Sequence, residues 1–162
     1  MVLEDRVKPW VLELEPYQPG KPPEELEREL GVVRAIKLAS NESPIGPSPL
    51  AMEAVQKALE GVHRYPDGAS FALRAALAER LGVDAGQLVF GAGADEILEL
   101  LAKAFLGPGD QVVYAWPSFA MYPIVTQGMG AQPVPVPLRD DLVHDLDAMR
   151  AAVVPETRVV FV

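Results

Sequence analysis

An α/β fold on a largely parallel sheet is the architecture this sequence predicts, and three observations predict it. The segments "QLVFGAG", "QVVYAWP" and "RVVFV" are apolar at nearly every position, as strands buried on both faces must be. Helical patterns lie between them, so strand and helix alternate along the chain. Capping residues and glycines stand at the junctions. No internal repeat or low-complexity tract competes with this reading.

Taken in order, residues 1–30 read as an N-terminal arm. Its "LELEPYQPGKPPEELEREL" joins a proline-rich extended stretch to a short charged helix. Prolines lack the N–H that a central strand needs. A solvated tail has little use for Trp10, Val11, Leu12, Leu14 and Tyr17, so the arm is expected to dock on another surface. Residues 31–162 then form part of one domain. "AIKLAS" (35–40) is a short strand candidate. Ser48 caps a helix with Pro49 at its first position, and Gly61 ends it. "RYPDGAS" is turn chemistry, after which Ser70 caps "FALRAALAERLG", apolar at 71, 73, 77 and 81. The strand "QLVFGAG" leads into a helix expected to bury Ile97, Leu98, Leu101 and Phe105. "GPGD" turns the chain into the strand "QVVYAWP". A helix over 118–127, an extended "AQPVPVPL", a helix capped near Asp145 and the strand "RVVFV" complete the chain.

The 162 residues are 49% hydrophobic and 23% charged, a globular balance. A net charge of −9 argues against a nucleic-acid partner, which needs a basic face. With no cysteine, disulfides and thiolate metal sites are out of reach. No apolar run approaches a bilayer span, and "MVLEDRVKPW" is too charged for a signal peptide, so no membrane partner and a cytoplasmic location are expected.

"GAGADEILELLAKAF" (91–105) places the least bulky residues at the mouth of a helix. Free N–H groups and the helix dipole converge there, and small residues let an anion reach the main chain. A merely tight strand-to-helix turn favours glycine as well, so both readings stand on these residues alone. Glu96 occupies the third glycine position of a dinucleotide fingerprint, and no Gly-Lys-Ser/Thr follows, so neither of those phosphate motifs is present. Asp95 and Glu96 suit the first turn through the dipole without any catalytic role. His63 and His144 have no partners at metal-ligand spacing, and no carboxylate pair shows acid–base logic.

The neighbouring motifs carry a resemblance. "LEPYQPG", "LASNESPIGPS", "HRYPDG", "GAGADEILELLAKAFLGPGDQVVYAWPSFAMY" and "RVVFV" follow one another as in the fold-type I pyridoxal-phosphate (PLP) enzymes. Within these, "N-E-x-P" with "R-Y-P" resembles the histidinol-phosphate aminotransferase group. The resemblance implies the PLP-binding large domain of that fold, a mostly parallel sheet flanked by helices, with an N-terminal arm. It implies PLP as cofactor, with Gly93, Ala94 and Asp95 holding its phosphate through backbone amides. Phe119 falls where the family stacks an aromatic ring, usually tyrosine, on the cofactor. Tyr65 would reach the partner subunit's PLP phosphate across a homodimer interface. Tyr17 would approach the substrate's phosphate end, and Asn41 would lie in the substrate loop. Each has a plainer alternative on the residues alone: core packing for Phe119, a turn aromatic for Tyr65, a strand end for Asn41.

The implied reaction is amino transfer between histidinol phosphate and 2-oxoglutarate/glutamate in histidine biosynthesis. Alternatives are an aromatic amino-acid aminotransferase, a PLP decarboxylase acting on a phosphorylated amino acid, or a non-catalytic α/β module binding a phosphorylated ligand. A transaminase needs a Schiff-base lysine. None of Lys8, Lys21, Lys37, Lys57 and Lys103 sits in the family's Ser-x-Ser-Lys type of context. The chain is therefore expected to be the N-terminal portion of the enzyme, inactive alone, with the lysine beyond Val162.

Overall fold

A computed structural model describes residues 3–162. The chain divides into two compact units, one holding the described residues up to Tyr17 together with Val89–Val162, the other Gln18–Leu88. The sequence-based division at residue 30 thus falls inside the second unit.

In the first unit, β1 (Gln111–Trp116) lies between β2 (Gln132–Pro137) and β3 (Thr157–Phe161) in an all-parallel sheet. Its continuous apolar run is explained by its central place. Strand side chains alternate between faces. Val112 and Tyr114 therefore meet Ala102, Leu106, Val125, Ala131 and Phe161 on one side, while Val113 and Ala115 meet Val136 and Met149 on the other. Helices α5 (Gly93–Phe105) and α6 (Met121–Gly128) cover the first side, and α7 (Leu146–Ala151) covers the second. Asp145 caps α7 as expected, accepting from Ala148 N–H at 2.9 Å. The "GPGD" turn is pinned by Asp110, which accepts from Gly107 N–H at 2.8 Å and from Arg158 Nε of β3 at 2.9 Å. The Arg158 bond holds the Asp110 carboxyl below its ordinary range against the opposing effect of desolvation, and the Gly107 N–H adds to the lowering.

β2 is an edge strand built as Gln-Pro-Val-Pro-Val-Pro. Gln132 N–H donates to Asp110 O and Leu138 N–H to Trp116 O, so the even-numbered amides face β1. Pro133, Pro135 and Pro137 take the alternate positions, where a missing N–H costs no ladder bond.

The arm does dock. After a 3₁₀ turn at Leu3–Arg6 and the short helix α1 (Pro9–Leu12), Trp10 Nε1 donates to Gly128 O at 3.2 Å. The indole lies so close to Gly130 that a Cβ there would stand 2.9 Å from the ring. Leu14 borders an apolar cleft of about 230 Å³ between α5 and α6.

The second unit carries α2 (Pro23–Leu30), α3 (Pro49–Ala58) with a 3₁₀ turn at Leu59–Gly61, α4 (Phe71–Leu81) and a 3₁₀ turn at Ala85–Gln87. Pro49 starts α3 and Gly61 closes its final turn, as expected.

Several expectations are corrected. "AIKLAS" and the Leu88–Phe90 part of "QLVFGAG" are not strands, because no described segment pairs with them, and "AIKLAS" ends in a turn with Ser40 left-handed at φ 71°. The Ser48 and Ser70 hydroxyls do not cap. Ser70 is left-handed at φ 49°, and Asp67 supplies the cap instead, accepting from Ala69 N–H at 2.9 Å and Phe71 N–H at 2.8 Å. On α4, Phe71, Leu73 and Leu81 are exposed. On α5 the inward row is Leu98 and Ala102, continued by Leu106 after the helix, at fourfold spacing. Leu101 and Phe105 stand off this row and are exposed. The 118–127 helix starts only at Met121, since Ser118 Oγ donates to Ala115 O at 2.5 Å and holds the preceding residues in a turn.

Candidate functional site

The mouth of α5 is built from a three-residue turn. Gly93 N–H donates to Gly91 O at 2.9 Å across Ala92, whose φ −76° and ψ 73° are those of an inverse γ-turn. The two glycines serve different ends. A Cβ at Gly91 would stand 3.0 Å from Ile97 Cδ1 and 3.1 Å from Glu96 Oε2, so that position is crowded by side chains of the helix's own first turns. Gly93 sits at φ +82°, where L side chains rarely go, and a Cβ there would meet nothing within 4 Å. The outer face of the turn is therefore open backbone.

Glu96 turns back, and its Oε2 accepts from Ala92 N–H. With Gly93 N–H committed to Gly91, the amides left at the helix mouth are those of Ala94 and Asp95, which have no acceptor within the helix. The sequence reading gave Glu96 only a dipole role. Its position one residue past the capping-box site was the available clue.

Since α5 ends just before the turn into β1 and both pack on one core, the helix runs back along the strand. Its mouth thus lies toward the carboxyl end of β1, the edge where α/β sheets place ligands. β1 leaves that edge through Trp116 and a cis Trp116–Pro117 peptide bond. Phe119 follows, partly exposed at 40%. Its ring meets Tyr122 edge-on, with centroids 5.7 Å apart and an 87° interplanar angle. The structure thus carries the open turn and Phe119 in one unit, on the two elements that reach this edge.

The other residues singled out by sequence are placed as follows. Tyr17 closes the first stretch of the first unit and is half-exposed. Asn41 belongs to the second unit, left-handed at φ 50° beside Ser40 at φ 71°, in a loop whose ends are tied by Lys37 Nζ to Glu42 Oε1 at 2.6 Å. Tyr65 also belongs to the second unit and is fully exposed. Lys21 pairs with Glu29 and Glu25, Lys103 with Glu99, and Lys8 lies 5.3 Å from the Trp10 ring centroid. Among the described residues, no group of three or more His, Asp or Glu is arranged to hold a metal ion. No described helix is long and apolar enough to cross a membrane.

Comparison with known proteins fixes the family. Residues 33–162 match the family model for aminotransferase class I and II. Histidinol-phosphate aminotransferase 1 of Thiobacillus denitrificans is 53% identical over 156 residues, which is 95% of this chain and 40% of that protein. The histidinol-phosphate aminotransferase of Akkermansia muciniphila is 51% identical over 164 residues, covering 100% of this chain and 45% of that protein. The chain thus spans well under half the length of these relatives. Among solved structures, histidinol-phosphate aminotransferase from Sinorhizobium meliloti in complex with pyridoxal-5'-phosphate superimposes with a TM-score of 0.80 at 31% identity, over 93% of this chain and 40% of that one. Thermus thermophilus aspartate aminotransferase shares the fold at a TM-score of 0.76 and 24% identity. The chain belongs to the aminotransferase class I and II family.

Proposed function

We propose that the protein containing this chain is a PLP-dependent aminotransferase that exchanges an amino group between histidinol phosphate and 2-oxoglutarate/glutamate, as a cytoplasmic homodimer. The observation that carries the cofactor assignment is the turn at 91–95. It joins a left-handed Gly93, open space where its Cβ would stand, and two uncommitted amides at the mouth of a 13-residue helix. A phosphate-bearing aromatic ring fits this arrangement. Ala94 and Asp95 offer the donors, Gly93 leaves the approach clear, and Phe119 offers a π face from the end of β1. Relatives about half identical over nearly the whole chain support the substrate.

PLP, when bound, provides an electron sink for the bond broken at the amino carbon. The chain's own residues bind and orient. The amides of Ala94 and Asp95 fix the phosphate, and Phe119 fixes the ring plane. Tyr65 serves the partner subunit's phosphate site, while Tyr17 and Asn41 contact the substrate. The ion-paired Lys21, Lys37 and Lys103 are committed to carboxylates. The proton-moving lysine is assigned to sequence outside these 162 residues.

The test uses protein expressed from the full native gene. Gly93→Val should weaken PLP binding at least about tenfold, roughly 1.4 kcal/mol, measured by absorbance titration. Because φ +82° strains any side chain, the apoprotein's melting temperature is recorded as well, to separate strain from occlusion. Unchanged PLP affinity overturns the cofactor site. Amino transfer to 2-oxoglutarate from phenylalanine or aspartate, but not from histidinol phosphate, overturns the substrate.

A further inference from the structure

Phe119 lies outside any helix or strand and is partly exposed, so its backbone alone does not fix its ring. Among the described residues, its one aromatic contact is Tyr122, met edge-on at 5.7 Å and 87°. Tyr122 is itself held from the other direction. It stacks flat on Phe161 of β3, with centroids 4.4 Å apart and planes 8° from parallel, and it tilts against Tyr114 of β1 at 6.0 Å and 52°. Phe161 and Tyr114 are buried in the core. Tyr122 N–H donates to Phe119 O at 3.1 Å, and Thr126 Oγ1 donates to Tyr122 O at 2.7 Å, so the backbone beneath both rings is also tied. The order is therefore two core rings on neighbouring strands, then Tyr122, then Phe119.

We propose that Tyr122 is a positioning residue that sets the ring plane of Phe119 for stacking on the cofactor. The inference rests on the reading of Phe119 as the stacking residue. A flat stack fixes the tilt of Tyr122, and an edge-on neighbour has a favoured angle because ring edges are positive and faces negative. The Tyr122 plane thus transmits the sheet's orientation to a ring that the backbone leaves free. The contact uses the ring, so the hydroxyl is dispensable.

The test uses the full-length protein and four variants, Tyr122→Phe, Tyr122→Leu, Phe119→Ala and the double variant Tyr122→Leu/Phe119→Ala. Each is read by PLP titration, by the circular dichroism induced in bound PLP, and by the melting temperature of the apoprotein. Tyr122→Phe should match wild type in affinity and induced dichroism. Tyr122→Leu should weaken PLP about two- to tenfold, the range an aromatic pair's geometry is worth, and should alter the induced dichroism. The double variant should bind PLP no worse than Phe119→Ala alone, since Tyr122 acts through Phe119. If leucine costs the fold, Tyr122→Met fills the space and gives the same comparison. Wild-type affinity and dichroism in Tyr122→Leu, with loss in Phe119→Ala, overturn the inference and leave the stacking role intact. Additive losses in the double variant also overturn it, by making Tyr122 merely structural. Wild-type behaviour in Phe119→Ala removes the underlying reading and the inference with it.

Discussion

Gly93 and Gly130 show how one residue type answers unlike demands. Gly93 is required by its backbone angle and borders open space, whereas Gly130, at φ +74°, is also pressed by the Trp10 indole. Gly130→Ala should push the indole off its seat and break the Trp10–Gly128 hydrogen bond. Its expected signature is a red shift of tryptophan emission, with a melting temperature lower than wild type. An unchanged spectrum would show that the ring does not rest there in solution. Sequence alone made Gly93 legible, because a small-residue run before an amphipathic helix is a local pattern. Docking of the arm was legible from its apolar residues, but Gly130 as the seat was not, being some 120 residues from Trp10. The Glu96–Ala92 bond and the ring order through Tyr122 were missed for a related reason. Each depends on side-chain direction, which residue spacing only narrows.

Among elements, those with local causes were read correctly and those with distant causes were not. β1 declared itself by apolarity on both faces, and α7 by its aspartate cap. Residues 35–40 and 88–90 have strand composition, yet a strand is a pairing, and its partner is not written in the segment. The start of α4 turned on whether Ser70 or Asp67 would hold its amides, and the left-handed Ser70 leaves that to Asp67. Backbone hydrogen bonds from Phe71 and then Ala69 keep the Asp67 carboxyl below its ordinary 3.8. A carboxyl depressed in the folded state contributes stability above its unfolded pKa and loses it as pH falls through the folded value. Acidification from about pH 4 downward should therefore fray the first turn of α4, seen as a fall in the protection of the Ala69 and Phe71 amides relative to their intrinsic exchange rates at each pH. In Asp67→Asn that acid-dependent step should be absent. Persistence of the step in the asparagine variant would assign it to another carboxylate.

For the molecule as a whole, the homodimer proposed here makes a claim on the arm. Trp10 is committed to its own chain, while Val11 and Leu12 remain exposed. In full-length protein, deletion of residues 1–20 should lower the dimerisation constant and the affinity for histidinol phosphate together, measured by sedimentation and by KM. A fully active monomer would refute the shared site. The fold class was legible in sequence because alternation and double-sided burial are properties of the whole chain. Of the two boundaries between units, only the one after Tyr17 carries a linker-like Pro/Gly-rich run, and the one at Leu88 follows contacts that composition does not mark. The proline comb of β2 sets one further property at this scale. Its three prolines turn toward solvent the positions from which another strand would take donors, leaving carbonyls alone on that rim. The sheet is thereby a polarised template: a strand laid beyond β2 would find acceptors but no donors at the three proline positions. β3 carries no proline and keeps a donor at every residue, so a recruited strand is better matched at β3.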